Sequence, residues 1–513
     1  MSQTTQRPAT DDPSAWRAYW QTSGVRWRSE PEIGEPRQAY LRERLGITPD
    51  MSHGVYPFGA IPLTRADVEW LIVHAAEEES KQPTLVPVSQ PATAPAIQIA
   101  FPNVFPYAPV QAYPYPSTVT GAIVDVTAPP ASPPFYPPGL TDLESSTSGV
   151  KPLNEAPALD LRGANLRGIN LRGLPLARLR GGLTQDEWRA TPPDRRTQAG
   201  VQLDKADLSQ ATLDGAILGY ASLRETWLYQ TSLIGADLSA AHLEDSRLYQ
   251  THLESANLYQ AHLDHARCFQ TLLAGADLRR VAFDGETTLD EISLSDTAHG
   301  SAQLADVRWG DANLTVVPWE QLTLLGDERD ARAKRTNDGK IKSRHRRRLD
   351  YQVAERATRQ LAVALQAQGM SEDAARFTYR AQNLQREVYR RRGWRYFGAW
   401  VFSGFLATLT GYGYRMGRIL IAYALAVFGF AAIYFALGVG CSAGSGACTS
   451  NQPLWKSLLA ALVVSVTAFH GRVFSLQPQP ASALGVITAI EAVVGLVLES
   501  VFIAMLTQKL FSR

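Results

Sequence analysis

From residue 203 to residue 283 every fifth position is apolar: Leu203, Leu208, Leu213, Leu218, Leu223 and Leu228 open a series whose only other members are leucines, Cys268 and Phe283. Two positions before each stands a small residue or valine, as in Ala206, Ala211, Ala216, Ala221, Thr226 and Thr231. A period of five matches neither the 3.6 of a helix nor the 2 of a strand. It fits a four-sided solenoid in which both positions point inward. The period of 20 supports four units per coil, because Leu208-Ser209-Gln210-Ala211, Leu228-Tyr229-Gln230-Thr231, Leu248-Tyr249-Gln250-Thr251 and Cys268-Phe269-Gln270-Thr271 then correspond. Gln210, Gln230, Gln250 and Gln270 are predicted to stack at the ~4.8 Å strand spacing, with Tyr229, Tyr249 and Phe269 as an aromatic ladder beside them. Gly215, Gly235, Ser255 and Gly275 keep the same period at a corner.

The copies Ala164-Asn165-Leu166, Ala206-Asp207-Leu208, Ala236-Asp237-Leu238, Ala256-Asn257-Leu258, Ala276-Asp277-Leu278 and Ala312-Asn313-Leu314 resemble the pentapeptide-repeat family, A(D/N)LXX. The resemblance implies a right-handed quadrilateral β-helix, here over residues 158–320. The register breaks twice. Residues 181–200, with Pro192-Pro193-Asp194, read as a loop-out, and after Phe283 the phase shifts by one to Leu289, Leu294, Leu304 and Leu314.

Residues 1–80 are expected to form a small N-terminal cytoplasmic domain. It scatters Trp16, Trp20, Trp27, Tyr40, Tyr56, Phe58 and Trp70 among Arg and Glu, with Thr64 as candidate N-cap of an amphipathic helix. Residues 81–157, rich in Pro, Ala, Ser and Thr, read as an extended linker. Residues 321–348 are a basic linker that includes Arg344, Arg346, Arg347 and Arg348. Without a fold or aromatic interleaving to support it, nucleic acid is disfavoured there against solvent or anionic lipid. Two helices around Gly369 are expected to form a hairpin over 349–393.

The chain then turns apolar. Residues 419–437 carry no charge and are long enough for the ~30 Å hydrocarbon core. Residues 484–506 form a second span, charged only at Glu491 and Glu499. Residues 454–469, after Pro453, are apolar but too short to cross, which is how a re-entrant pore helix reads. Arg390, Arg391, Arg392, Arg395, Arg415 and Arg418 precede the first span, and Lys509 and Arg513 follow the second. The loop between holds Lys456 and Arg472, so both termini are expected on the cytoplasmic side of an inner (plasma) membrane. Residues 394–418 read as an interfacial helix and 419–513 as the two-span domain.

This order resembles the two-transmembrane potassium-channel superfamily, specifically its bacterial pentapeptide-repeat members. Ser465-Val466-Thr467 leads into Phe469 and Gly471, and Ile490-Glu491-Ala492-Val493-Val494-Gly495 sits in the inner helix. The resemblance implies a homotetramer whose last helix lines a pore. Thr410-Gly411-Tyr412-Gly413 looks like a filter signature but precedes the first span, so it is expected to be a turn. After Thr467, the filter position holds Phe469-His470-Gly471-Arg472-Val473-Phe474, which lacks one of the two glycines of a potassium filter. Weak cation selectivity is expected instead. Glu499, with Phe502 and Leu506 below it, is expected either to face the conduit or to hydrogen-bond between helices, Arg472 to brace Glu491, and Gly495 to act as a hinge.

The composition changes little in this picture. The chain has 513 residues, a net charge of +1 and 19% charged residues, averages that hide a polar first part and an apolar end. Residues 1–12 are polar with no leader pattern, so the N-terminal part is expected to stay in the cytoplasm. There are three cysteines, and Cys441 and Cys448 either pair or serve as small apolar residues. His242, His252, His262 and His265 lack a converging set of carboxylates or thiols, which disfavours a metal. No nucleophile–base pair or phosphate loop is legible, so neither enzyme nor cofactor is expected. The Tyr/Gln face is either a docking surface for a protein partner or a self-satisfying ladder. Three functional readings stand: a channel with the solenoid for assembly, gating or docking, a non-conducting membrane-anchored scaffold, and a membrane-perturbing effector.

Overall fold

The computed structural model describes residues 7–8, 10, 12–81, 159–336, 339–409, 411–412, 416–438, 454–471 and 483–511. In the repeat, each pentapeptide turns one corner. At Leu208-Ser209-Gln210-Ala211 the Ala211 N–H donates to the Leu208 carbonyl at 3.0 Å, with Gln210 at φ +61°. That left-handed residue is what a type II turn requires, and Gly215, Gly235 and Gly275 supply it without strain. Bridges join residues 20 apart, as in Gln202, Ser222, His242 and His262, so four pentapeptides close one coil. Leu208, Leu228 and Leu248 are buried in one column. Where the small position is threonine, the buried hydroxyl donates to a carbonyl: Thr231 to Leu208 at 2.8 Å and Thr251 to Leu228 at 2.6 Å.

A solenoid exposes unpaired backbone and core at each end, so both ends need covers. The N-terminal block is one cover. It carries α1 (Pro13–Thr22), α2 (Glu35–Leu45) and α3 (Arg65–Lys81). Residues 60–63 extend the first coil: Ala60 N donates to Gly163 O at 2.8 Å and Asn165 N to Ile61 O at 3.1 Å. Leu41, Phe58, Leu63, Val68 and Leu71 join the same core as Leu159 and Leu161. The sequence had assigned this block no such role. Residues 76–146 form a separate unit, described only through the last turns of α3, and most of the linker 81–157 lies outside the described residues.

The first coil opens with β1 (Leu159–Asp160) paired parallel to β2 (Leu179–Arg180). Asn165 then pairs with Gln202, 37 residues on, so 17 residues are looped out of the 20-residue coil. This is the break at 181–200, and it folds as α4 (Gln185–Ala190) and α5 (Arg196–Ala199), the former started by a Thr184/Glu187 capping box. The later phase shift is a one-residue insertion, with Arg267 opposite Thr288. A further insertion forms the hairpin of β3 (Ser295–Asp296) and β4 (Gly300–Ser301).

The C-terminal cover is aromatic. Phe283 stacks on Trp309 at 5.5 Å, Trp309 meets Trp319 edge-on at 5.9 Å, and Trp319 meets Phe377 at 6.3 Å. Phe377 belongs to a hairpin of α7 (Arg344–Ala367) and α8 (Ser371–Arg392), entered through α6 (Gly326–Arg332). The hairpin starts five residues before the expected position 349. Arg344 to Arg348 therefore lie in the first turns of α7, where Ser343 caps the helix and Asp350 takes Lys342 and Arg346.

Next, α9 (Phe397–Leu409) folds back along α8, with the Arg386 guanidinium over the Trp400 ring at 5.3 Å. Gly411 and Tyr412 turn the chain after α9 at φ +56° and +55°, and the Tyr412 hydroxyl lies 2.9 Å from Ser403 Oγ. The filter-like Gly411-Tyr412 is thus a turn on the α8–α9 pair. The chain continues in α10 (Met416–Ala436), α11 (Leu454–Phe469) and α12 (Ala483–Phe511). Residues 417–436 and 484–507 are long and apolar enough to cross a membrane, whereas 455–469 are too short.

Candidate functional site

Contacts between polar groups fix the directions of the last three helices. Along α11, Ser465 Oγ meets the Val427 carbonyl at 2.8 Å and His470 Nε2 meets Tyr423 Oη at 3.0 Å. Advancing on α11 therefore means retreating on α10, so these two are antiparallel. The same residues meet Glu491 at 2.5 Å and Glu499 at 3.2 Å, so α11 and α12 run parallel although consecutive in sequence. Leu484 and Ile487, at the start of α12, pack with Tyr434, Ala461 and Val464. His470 is level with Glu499, so it lies roughly 22 Å along the helix axis from Leu484.

Glu491 sits fully buried between the three helices. Its Oε2 accepts from Tyr434 Oη at 2.6 Å, and its Oε1 lies 2.5 Å from Ser465 Oγ. Ser465 has one hydroxyl proton and two neighbours, because Val427 O lies 2.8 Å away. A protonated carboxyl satisfies every group: Tyr434 donates to Oε2, Oε1–H donates to Ser465, and Ser465 donates to Val427 O. Among the described residues Glu491 finds its partners on α10 and α11, and the expected brace to Arg472 is not among what they show. Arg472, Val473 and Phe474 lie outside the described residues, as do Cys441 and Cys448.

Gly495 is a contact point. A Cβ there would stand 2.0 Å from the Phe469 carbonyl oxygen, so only glycine lets the end of α11 touch α12. Close packing by itself calls for glycine at this position, whether or not the helix also bends there. Phe469 is buried against Val427 and Leu498, and Gly471 ends the helix at φ +68°. Thr467 spends its hydroxyl on its own helix, at 3.0 Å from Val463 O. Glu499 is partly exposed and faces His470 within the chain, while Phe502 is half-buried one turn further on. Tyr423, Tyr434 and the role of Ser465 escaped the sequence reading. The available signal was two tyrosine hydroxyls inside an apolar span, each of which needs a partner.

On the solenoid, the glutamines form one directed chain. Arg172 donates to Gln210 at 3.1 Å, Gln210 to Gln230 at 3.2 Å, Gln230 to Gln250 at 3.0 Å, Gln250 to Gln270 at 2.8 Å and Gln270 to Glu291 at 2.7 Å. The ladder satisfies itself, with a cation at its donor end and a carboxylate at its acceptor end. Tyr249 and Phe269 pack edge-to-face at 6.4 Å, and Tyr229 and Phe269 remain exposed. The neighbouring groove, about 500 Å³, holds Trp227 under Arg247 at 3.9 Å, with Arg267, Asp245 and Glu286 close by. Its charges are of both signs, so it selects no single ligand charge. His242 stacks on His262 at 5.1 Å and pairs with Glu244 at 2.9 Å, while His252 pairs with Glu254 at 3.1 Å and His265 with Asp284 at 2.8 Å. Among the described residues no cluster of three or more ligating side chains could hold a metal.

Residues 231–267 match the family model for pentapeptide repeats, in eight copies. Solved structures with similarity include HetL of the cyanobacterium Nostoc sp. strain PCC 7120, a pentapeptide repeat protein involved in heterocyst differentiation regulation. It is 22% identical, the match covers 31% of this chain and 76% of HetL, and the TM-score is 0.20. Rfr23 of the cyanobacterium Cyanothece 51142 is 27% identical over 29% of this chain and 90% of its own, with a TM-score of 0.14. QnrB1, a plasmid-mediated fluoroquinolone resistance protein, is 16% identical over 31% of this chain and 84% of its own, with a TM-score of 0.16. No curated protein matches the chain. The family match stops well short of the C-terminal helices.

Proposed function

We propose that this pentapeptide repeat protein, with its two long apolar helices near the C-terminus, is a weakly cation-selective membrane channel, built as a homotetramer with the solenoid on the cytoplasmic side. The observation that carries the reading is the parallel course of α11 and α12 beside an antiparallel α10. In a bilayer, α10 and α12 each span. The short α11 enters from the side where α10 ends and stops level with Tyr423, about 10 Å short of the start of α10. A helix that ends inside the apolar layer, followed by one that starts again from its own side, is a re-entrant loop. Arg418 at the start of α10 and Lys509 at the end of α12 mark one membrane side, the inner one by the positive-inside rule. Trp394, Phe402 and Phe405 are exposed, and Arg390, Arg392 and Arg395 flank Trp394 in the chain, which suits residues 394–396 and α9 to the inner leaflet. The solenoid and the α7–α8 hairpin then serve assembly, gating or the docking of a protein partner.

Current across planar bilayers tests this reading with the purified full-length protein. A cation current that shrinks in Glu499→Gln is expected. Solenoid and residue 513 mapping to opposite membrane faces would refute the topology. The non-conducting scaffold remains the second reading, favoured by the sequence Phe469-His470-Gly471, in which one of the two filter glycines is missing. Silence in the bilayer assay together with correct topology selects it.

A further inference from the structure

His470 lies at the end of α11, between the two helices that flank it. Its Nδ1 is 2.8 Å from the Val466 carbonyl, which can only accept, so Nδ1 carries a proton. Its Nε2 faces two different groups: Tyr423 Oη on α10 at 3.0 Å and Glu499 Oε1 on α12 at 3.2 Å. In neutral imidazole Nε2 has only a lone pair, so it accepts from the Tyr423 hydroxyl and faces an ionised Glu499 unfavourably. In imidazolium Nε2–H donates to the Glu499 carboxylate, and Tyr423 loses its acceptor. One proton therefore decides whether α11 ends tied to α10 or to α12. Among the described residues, Tyr423 is the titratable group facing His470 from α10, Glu499 the one from α12, and α11 itself contributes the Val466 carbonyl.

The geometry points to a proton-operated latch: protonation of His470 transfers the end of α11 from Tyr423 to Glu499 and withdraws that carboxylate from the conduit. Imidazole is the side chain whose charge ordinarily changes between about pH 5 and 8. The packing here is tight, since Phe469 O leaves no room for a Cβ at position 495. Both partners already stand within hydrogen-bond reach of Nε2, so the swap passes one hydrogen bond from one helix to the other without a large movement. As to flux, the latch rests on the channel reading: Glu499 concentrates cations when it is free and ceases to when it is paired. Cation flux should then fall on acidification.

The test has two arms, both on the full-length chain in lipid nanodiscs or vesicles. In the first, ¹⁵N-histidine NMR follows His470, identified by the signal lost in His470→Gln. The latch requires Nδ1–H at both about pH 8 and about pH 5, with Nε2 gaining its proton only on acidification. A neutral form protonated at Nε2 overturns it. In the second, sodium flux should drop by about tenfold between those pH values in the native chain, the scale on which a free carboxylate enriches counter-ions in a confined cleft. In His470→Gln the flux should be independent of pH, and an unchanged pH response there also overturns the latch. Tyr423→Phe removes the hydrogen bond of the neutral state alone and should lower flux at pH 8 toward the acid level, a check that stands if the His470 variant fails to fold. If no variant conducts at any pH while the NMR behaves as required, the channel reading fails and the latch stands.

Discussion

Asp327 is the residue whose charge state bears most directly on how the solenoid is closed. It lies in α6, buried, and accepts the Leu304 N–H at 2.6 Å. Burial pushes its carboxyl up to about 7; the Leu304 N–H and Arg279 pull it down, while Asp277 and Asp330 add to the rise. In the unfolded chain the same group titrates near 3.9. The folded state thus prefers the neutral acid, and folding takes up a proton between these two values. Below about pH 4 both states are protonated and the site contributes nothing. As pH rises from there the unfolded state gains, by about 1.4 kcal/mol per unit, until the folded group also ionises near 7. Above that the penalty is constant at about 4 kcal/mol. Asp327→Asn keeps an acceptor for Leu304 and cannot ionise. It should match the native chain at pH 4 and exceed it at pH 7.5 by up to about 4 kcal/mol, or roughly 8–16 °C in Tm for a domain of this size. Thermal unfolding of full-length protein in detergent, followed by circular dichroism at several pH values, reads this directly. A gap independent of pH, or a variant less stable at pH 7.5, would refute the reasoning.

Further substitutions probe the packing at single points. Gly495→Ala places a methyl 2.0 Å from Phe469 O and should abolish monodisperse, cooperatively melting protein, whereas Val493→Ala on the exposed face should leave the elution profile unchanged. Gln250→Ala breaks two ladder bonds while keeping the left-handed backbone, and should cost about 1–2 kcal/mol in denaturant titrations. Gln250→Gly breaks the same bonds but relieves the φ of +54°, so it should cost about 1 kcal/mol less than alanine. Cys268 is fully buried, and burial pushes its thiol up to about 12. In a chain with Cys441 and Cys448 changed to serine it should react with a thiol reagent only after unfolding; a rapid reaction in the folded state would mean that the coil opens there.

The five-residue rhythm carried most of the solenoid. Leucine and a small residue, each recurring at five, leave only one way to bury both sets, and the 20-residue recurrence of Gln210, Gln230, Gln250 and Gln270 set the coil length that the bridges show. The insertion after Phe283 was legible for the same reason: a phase shift is visible in a regular pattern. So were the two long apolar helices, because length and hydropathy are properties of a contiguous stretch.

What the sequence left open depends on contacts between distant residues. Nothing local in residues 60–63 announces that they continue a coil formed a hundred residues later; the unpaired edge at residues 163–165 decides it. A carboxyl at position 491 does not announce that Tyr434 and Ser465 arrive from two other helices to bond it. Likewise the sequence does not show that the Phe469 carbonyl stands against Gly495. Periodicity determines which residues must be buried. Only the packed chain determines which buried polar groups meet, because hydrogen-bond partners are chosen by position in space.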